Sequence, residues 1–132
     1  TIAEKIDAIL SLMEFSSRMK DYYDIYYLAN KFDFDGATLT EALRKTFETR
    51  GHIFTSEQFE QVMAFDSDET MQKKWNAFVR KIAAKTDNYG TVLRMIKEFL
   101  TEPFTAAILN DKFTKFWSAN DNNWIHGGNN NG

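Results

Sequence analysis

Five charged residues near the start of the chain have types and spacings that make them a candidate functional site. Winding the first predicted helix at about 100° per residue places Lys5 at the margin of its apolar face. The same winding places Asp21 inside the inward-facing arc of the second helix, close in sequence to Arg18, Lys20 and Asp24. A lysine at such a margin can point its ammonium into a partly closed site that holds an anion.

A structural ion-pair network would give the same pattern. Lysines at such positions more commonly extend their ammonium to water, and Asp24 could simply form a surface pair with Lys20, one helical turn away. A carboxylate as buried as that predicted for Asp21 needs a cation such as Lys5 or Arg18 within reach. Spacing alone leaves both interpretations open. The site interpretation requires Lys5 and Asp21 to converge on a shared pocket between adjacent helices.

The elements that must position these residues are predicted to be helices. Apolar residues recur with a period of about 3.6 along the chain, and it has only one Pro and six Gly. The pattern predicts an all-α fold, a compact bundle of about six to seven helices. The predicted helices, with their caps, are about 1–14, 18–32, 38–50, 55–63, 66–85, 89–100 and 103–117.

Several helix ends are predicted from capping residues. Ser17 is a candidate N-cap for the second helix, and Thr38 with Glu41 forms a capping box for the third. Gly51 follows the end of that third helix. Thr55 or Ser56 is predicted to start the fourth helix, and the stretch 66–68 to cap the fifth. Pro103 suits the first turn of a separate last helix, with Thr101 as its cap.

Composition narrows the class of protein. The 132 residues are 43% hydrophobic and 15% aromatic, which is enough apolar surface for one core. With no Cys, a disulfide framework and a thiolate metal site are excluded, and a cytoplasmic location is expected. The net charge of -3 argues against a globally basic nucleic-acid binder, and no apolar run is long enough to predict a membrane span.

Two domain segments are predicted, a helical bundle over 1–117 and an Asn/Gly-rich tail over 118–132. The tail is expected to dock through Trp124 and Ile125 rather than to form a separate domain.

The histidines and the tyrosines of the second helix give weaker evidence of function. His52 and His126 are too isolated to suggest a metal site. The tyrosines of the second helix could stack on bases, although core and interface packing is the favoured interpretation; they are Tyr22, Tyr23, Tyr26 and Tyr27.

Two motifs near the N-terminus carry a family resemblance. The stretch Glu4-Lys5-Ile6-Asp7-Ala8 has the form EKxxA, and the stretch from Arg18 to Asp24 has the form RxKDxYD. In this order and spacing they resemble the third and fourth motifs of AbiEii-type nucleotidyltransferases, the toxins of abortive-infection, type IV toxin–antitoxin pairs. The resemblance extends to about Leu109 through a Trp75-x-x-Phe78 pair and the stretch from Phe99 to Pro103.

This resemblance implies the C-terminal helical part of a polymerase-β-like nucleotidyltransferase. Such proteins would use a nucleoside triphosphate with Mg²⁺, act on an acceptor such as tRNA, and pair with a winged-helix antitoxin. Lys5 would contact the triphosphate and Asp21 would assist at the site. Asp24 would support Asp21 there, and Arg18 and Lys20 would help to bind the phosphates.

The sequence departs from the family pattern in lacking its first motifs. No Gly-Ser precedes an Asp-x-Asp, and Asp33-Phe34-Asp35 is attributed to chance because it follows the fourth motif. With Thr1 as first residue, we expect that an N-terminal catalytic domain holding the metal is missing. The chain alone would then be inactive, and neither metal nor nucleotide is expected to be found bound to it. The alternative is a non-enzymatic helical protein–protein interaction domain.

Overall fold

Six helices and a small sheet make up the part of the chain that the computed structural model describes, residues 2–16 and 18–126. The helices are α1 (Ile2–Leu12), α2 (Met19–Lys31), α3 (Gly36–Arg50), α4 (Ser56–Met63), α5 (Glu69–Ile82) and α6 (Tyr89–Leu109). Short 3-10 turns follow α1 at Met13–Phe15 and α4 at Ala64–Ser67. The strands are β1 (Phe34–Asp35), β2 (Lys115–Ser118) and β3 (Asn123–His126). The helical bundle is therefore present, and the purely α-helical prediction is wrong.

The longest helix, α6, lies at the centre of the core. It packs against α2 and α3, and α1 packs against the same two helices. Side chains from the inner faces are fully buried, among them Ile6 of α1, Tyr22 and Ile25 of α2, Leu43 of α3 and Phe99 of α6. Apolar burial of this kind is the main source of stability in a helical bundle.

The predicted break before Pro103 is wrong, because α6 continues through this residue as one helix. Proline has no N–H to donate to the carbonyl four residues earlier, which is that of Phe99. The indole Nε1 of Trp124 donates to this carbonyl instead, at 2.9 Å. Thr101 does not cap a new helix, since its hydroxyl donates to the carbonyl of Lys97 at 2.6 Å. A side chain from the tail thus satisfies the group that the proline leaves unpaired.

The predicted helix 103–117 therefore ends early, and a β-hairpin occupies the chain beyond it. Asn110 adopts a left-handed conformation (φ 56°) that terminates α6. The sheet has the order β1-β2-β3 and is antiparallel, with Trp117 opposite Phe34 on one side and Trp124 on the other. The predicted boundary between 1–117 and 118–132 falls inside β2.

Both tryptophans of the hairpin point into the core. Trp117 is 1% exposed and donates its indole N–H to the carbonyl of Ala29 at 2.7 Å, one of the last carbonyls of α2. Trp124 is 9% exposed, whereas Ile125 is 44% exposed on the opposite face. Of the two residues expected to dock, only Trp124 does so.

Helix ends follow the predicted chemistry with local differences. Asp35 caps α3 by accepting from the N–H of Thr38, so the helix begins earlier than the predicted Thr38 capping box. Thr55 forms a capping box on α4, Asp68 caps α5, and Gly51 ends α3 in the left-handed conformation, as predicted. Helix α5 ends at Ile82 rather than near residue 85. The predicted cap Ser17 lies outside the described residues.

Candidate functional site

Lys5, Arg18, Lys20, Asp21 and Asp24 form a charge cluster where α1 meets the start of α2. Lys5 is in α1, and the other four residues precede or occupy the first two turns of α2. Buried Ile9 of α1 and Ile25 of α2 belong to the apolar core that holds the two helices together. Helix packing therefore brings residues separated in sequence to one place.

The ammonium of Lys5 lies between two carboxylates. Its Nζ is 2.8 Å from Oδ2 of Asp24 and 3.8 Å from Oδ1 of Asp21. The convergence expected for Lys5 and Asp21 is present, but Asp24 is the closer partner. The Lys5 side chain is 24% exposed, so its ammonium remains within reach of a ligand.

Asp21 is the buried acid of the cluster. The residue is 3% exposed and lies in the first turn of α2, where the helix dipole stabilises a negative charge. Its Oδ2 is 3.1 Å from Nε of Arg18, without the alignment of a hydrogen bond, and among the described residues it has no hydrogen-bond partner. The Arg18 side chain is 60% exposed, so it covers the Asp21 carboxylate only partly.

Asp24 binds two lysines through the same oxygen, since Nζ of Lys20 also lies 2.7 Å from its Oδ2. Burial raises the pKa of the Asp24 carboxyl, but hydrogen bonds from Lys20 and Lys5 lower it by more. The pKa therefore lies below its ordinary value. The hydrogen bond to Asp24 raises the pKa of Lys20 in turn. Both groups are thus charged at neutral pH.

The cluster is better suited to an anion than to a metal ion. Three cations face two carboxylates, which leaves an excess of one positive charge. Both carboxylates already have cationic partners, and a divalent cation would have to displace them. Within residues 2–16 and 18–126, no three His, Cys, Asp or Glu side chains form a group that could hold a metal. A phosphate group would instead add the negative charge that the cluster lacks.

A second buried carboxylate was missed by the sequence analysis. Asp7 of α1 is 1% exposed, and its carboxylate lies 2.9 Å from Nδ1 of His52 and 3.3 Å from Nη1 of Arg50. The winding that drew attention to Lys5 places Asp7 at the other margin of the same apolar face, which was the available signal. These contacts tie α1 to the end of α3, and the His52 ring takes part in them.

These features define a helical protein with an anion-attracting surface at the junction of α1 and α2. The chain belongs to the family of nucleotidyl transferase AbiEii toxins of type IV toxin–antitoxin systems, whose family model matches residues 1–110. The match includes the whole charge cluster and ends after α6, before β2 and β3. No protein of curated function and no solved structure has a significant similarity to the chain.

Membership of this family implies an antitoxin as partner. Among the described residues, no helix combines the length and the apolarity that crossing a bilayer requires.

Proposed function

We propose that this chain is the helical part of a nucleotidyl transferase toxin that moves nucleotides from a nucleoside triphosphate to an acceptor such as tRNA. The position of Lys5 carries the proposal. Its ammonium is held between two carboxylates, in a cluster with excess positive charge, within the region that matches the family. Phosphoryl transfer depends mainly on positioning and on neutralising phosphate charge, and a held lysine beside exposed cations supplies both.

Lys5, Arg18 and Lys20 have distinct roles in binding the triphosphate. Lys5 contacts the phosphates from a fixed position, because Asp24 holds its ammonium at 2.8 Å. Arg18 and Lys20 have side chains that are 60% and 73% exposed, so they can turn toward an incoming anion. Arg18 offers a forked donor pattern to the phosphate oxygens, whereas Lys20 adds a point charge.

Asp24 and Asp21 have different roles. Asp24 is a positioning residue, since two lysines occupy one of its oxygens and its lowered pKa makes it a poor proton acceptor. Asp21 is the better candidate to assist the reaction, because its Oδ2 is buried without an aligned hydrogen bond. Movement of Arg18 toward the phosphates would leave this carboxylate to accept a proton from the attacking hydroxyl.

Residues outside the chain would supply the metal-binding carboxylates. The sequence has no Gly-Ser followed by Asp-x-Asp, and the charge cluster suits an anion. The Mg²⁺ held by those residues would help to neutralise the phosphate charge. The chain alone is therefore expected to be inactive. A winged-helix antitoxin and tRNA are the partners proposed for the complete protein.

The test measures transfer of labelled nucleotide to RNA by the complete protein that carries this region. Lys5→Ala and Asp21→Ala should each abolish transfer while the circular dichroism spectrum and the thermal transition persist. Lys97→Ala is the matched control, because this exposed lysine pairs with exposed Glu60 on another face. Unchanged transfer in Lys5→Ala would refute the assignment. So would the absence of a Gly-Ser…Asp-x-Asp segment from the encoded protein upstream of this region.

A further inference from the structure

A second surface feature lies along the same helix as the charge cluster. A cleft of about 510 Å³ separates α2 from the loop between α5 and α6. Its lining includes Tyr23, Tyr26, Tyr27 and Asn30 of α2, with Lys85 and Asp87 of the loop. We call it the tyrosine cleft. The proposed triphosphate chemistry uses none of these residues.

The structure separates the four tyrosines of α2 by role. Tyr22 is completely buried and packs edge-to-face against Tyr89 in the core. Tyr23 and Tyr27 lie one turn apart with nearly parallel rings, at 6.4 Å between centroids and 23° between planes. Tyr27 is 46% exposed, which is high for a large aromatic ring. The packing interpretation holds for Tyr22, whereas Tyr27 presents an aromatic surface to solvent.

The opposite wall of the cleft is fixed in place. The indole Nε1 of Trp75 donates to the carbonyl of Asp87 at 3.1 Å, and the hydroxyl of Tyr26 donates to the Asp87 carboxylate. These two bonds hold the loop against α2. The cleft is therefore already formed, and a ligand would not have to order it on binding.

The polar groups around the cleft favour a flat ligand that carries negative charge. Lys85 lines the cleft and makes no ion pair among the described residues, and Nζ of Lys31 lies 5.6 Å from the centre of the Tyr27 ring. The one acid of the lining, Asp87, already accepts the hydrogen bond from Tyr26. The amide of Asn30 donates to the carbonyl of Tyr26 and keeps its oxygen available as an acceptor. Exposed tyrosines flanked by cations are a common way to bind unpaired bases.

One face of α2 carries Lys20 and Asp24 of the charge cluster together with Tyr27 of the cleft lining. Residues three and four apart share a helix face, so Lys20, Asp24, Tyr27 and Lys31 succeed one another along it. Tyr27 lies three residues beyond Asp24, about 4.5 Å further along the helix axis. A single nucleotide can span this separation between its phosphate and its base.

We propose that the tyrosine cleft binds an unpaired nucleobase, stacked on Tyr27, of a nucleotide whose phosphate lies at the charge cluster. The phosphate end of this arrangement rests on the proposed function, whereas the base end rests on the cleft alone. The base belongs either to a free nucleoside triphosphate or to the end of a single strand. Asn30 is placed to accept a hydrogen bond from the edge of the base.

The test measures binding to the 132-residue chain by calorimetry. The three ligands are inorganic tripolyphosphate, ATP and a six-nucleotide oligoadenylate. ATP or the oligonucleotide should bind more tightly than tripolyphosphate. Tyr27→Ala should weaken binding of ATP or the oligonucleotide by about 5- to 150-fold, the range expected for loss of one stacked base. It should leave the binding of tripolyphosphate unchanged. Tyr27→Phe should retain binding. Phe32→Ala is the matched control, since Phe32 is 50% exposed just after α2 and lies outside the cleft.

The outcomes separate the two proposals. If Tyr27→Ala weakens ATP, the base comes from the triphosphate; if it weakens only the oligonucleotide, the base comes from a strand. Lys5→Met should weaken the binding of tripolyphosphate. If tripolyphosphate does not bind but a base-containing ligand does, the phosphate site is refuted and the cleft proposal stands. If Tyr27→Ala leaves both base-containing ligands unchanged, the cleft proposal is wrong. Binding of a proline-rich peptide at Tyr27, with neither base-containing ligand bound, would overturn it as well.

Discussion

Replacing Lys5 by Met tests whether its ammonium stabilises the junction of α1 and α2. The substitution keeps an unbranched side chain that is one atom shorter, and it removes the charge from between Asp21 and Asp24. Exposed ion pairs contribute about 0.2–1 kcal/mol, and breaking a fully buried pair costs about 3–5 kcal/mol. The Lys5 side chain is 24% exposed and the Asp21 side chain 5% exposed, so the cost of breaking this pair should lie between these two limits. We expect the free energy of unfolding to fall by about 1–3 kcal/mol at pH 7.

The effect should depend on pH in a definite direction. The pKa of Asp24 is lower in the folded chain than its ordinary value of 3.8. Its pairing with lysine therefore stabilises the fold fully above that pH. This contribution is lost as the pH falls through the lower folded-state pKa. The difference between the wild-type chain and Lys5→Met should accordingly shrink as the pH falls below 3.8.

Urea denaturation followed by circular dichroism, at pH 7 and at steps down to pH 3, measures this difference. The accompanying shift in Tm at pH 7 should be about 3–4 °C for each kcal/mol. Lys20→Met provides the comparison, since it removes a 73% exposed lysine from the same Asp24 oxygen and should cost only about 0.3–0.5 kcal/mol. Equal losses in the two variants, or a loss in Lys5→Met that persists unchanged at low pH, would refute the electrostatic reasoning.

Four further predictions concern side-chain packing, two glycines and the ionisation of tyrosines. Trp117→Phe should lower the free energy of unfolding by about 2–4 kcal/mol in urea denaturation, because it leaves a helix carbonyl unpaired in a buried site. Gly36→Ala should cost about 1–3 kcal/mol, since its Cβ would clash with the backbone oxygen of Lys115 in β2. Gly90→Ala, with no contact under 3.4 Å, should instead stabilise the chain by about 0.4–1 kcal/mol. Burial raises the pKa of both Tyr22 and Tyr26 to about 12. Stability should therefore be complete below pH 10 and fall as the pH rises toward 12, together with late tyrosinate absorbance at alkaline pH. An unfolding free energy that stays constant between pH 10 and 12 would contradict this.

The chain's own residues determined much of the helical architecture. Apolar periodicity located α1 to α5 and the first half of α6, because amphipathic helices leave a repeating pattern that short-range geometry fixes. Capping residues marked several ends, since a cap acts within a few residues of its own position. Thr55 and Asp68 begin helices as predicted, and Gly51 ends one.

The same local reasoning located the charge cluster. Helical winding placed Lys5 and Asp21 toward the partner helix, and the structure brings them within 3.8 Å. It could not rank the acids, because the distance from Lys5 to each depends on how α1 crosses α2. Asp24, expected at the edge, is the closer one at 2.8 Å.

Tertiary structure alone decided the course of the chain after Pro103. Local rules predict a break there, since proline leaves the carbonyl of Phe99 without its helical donor. Trp124 supplies a donor from residues distant in sequence, so the helix continues. The same hairpin places Trp117 against the open carbonyl of Ala29. Hydrogen bonds between distant residues leave no periodic signal in a sequence, which is why the sheet and the long α6 became visible only in the folded chain.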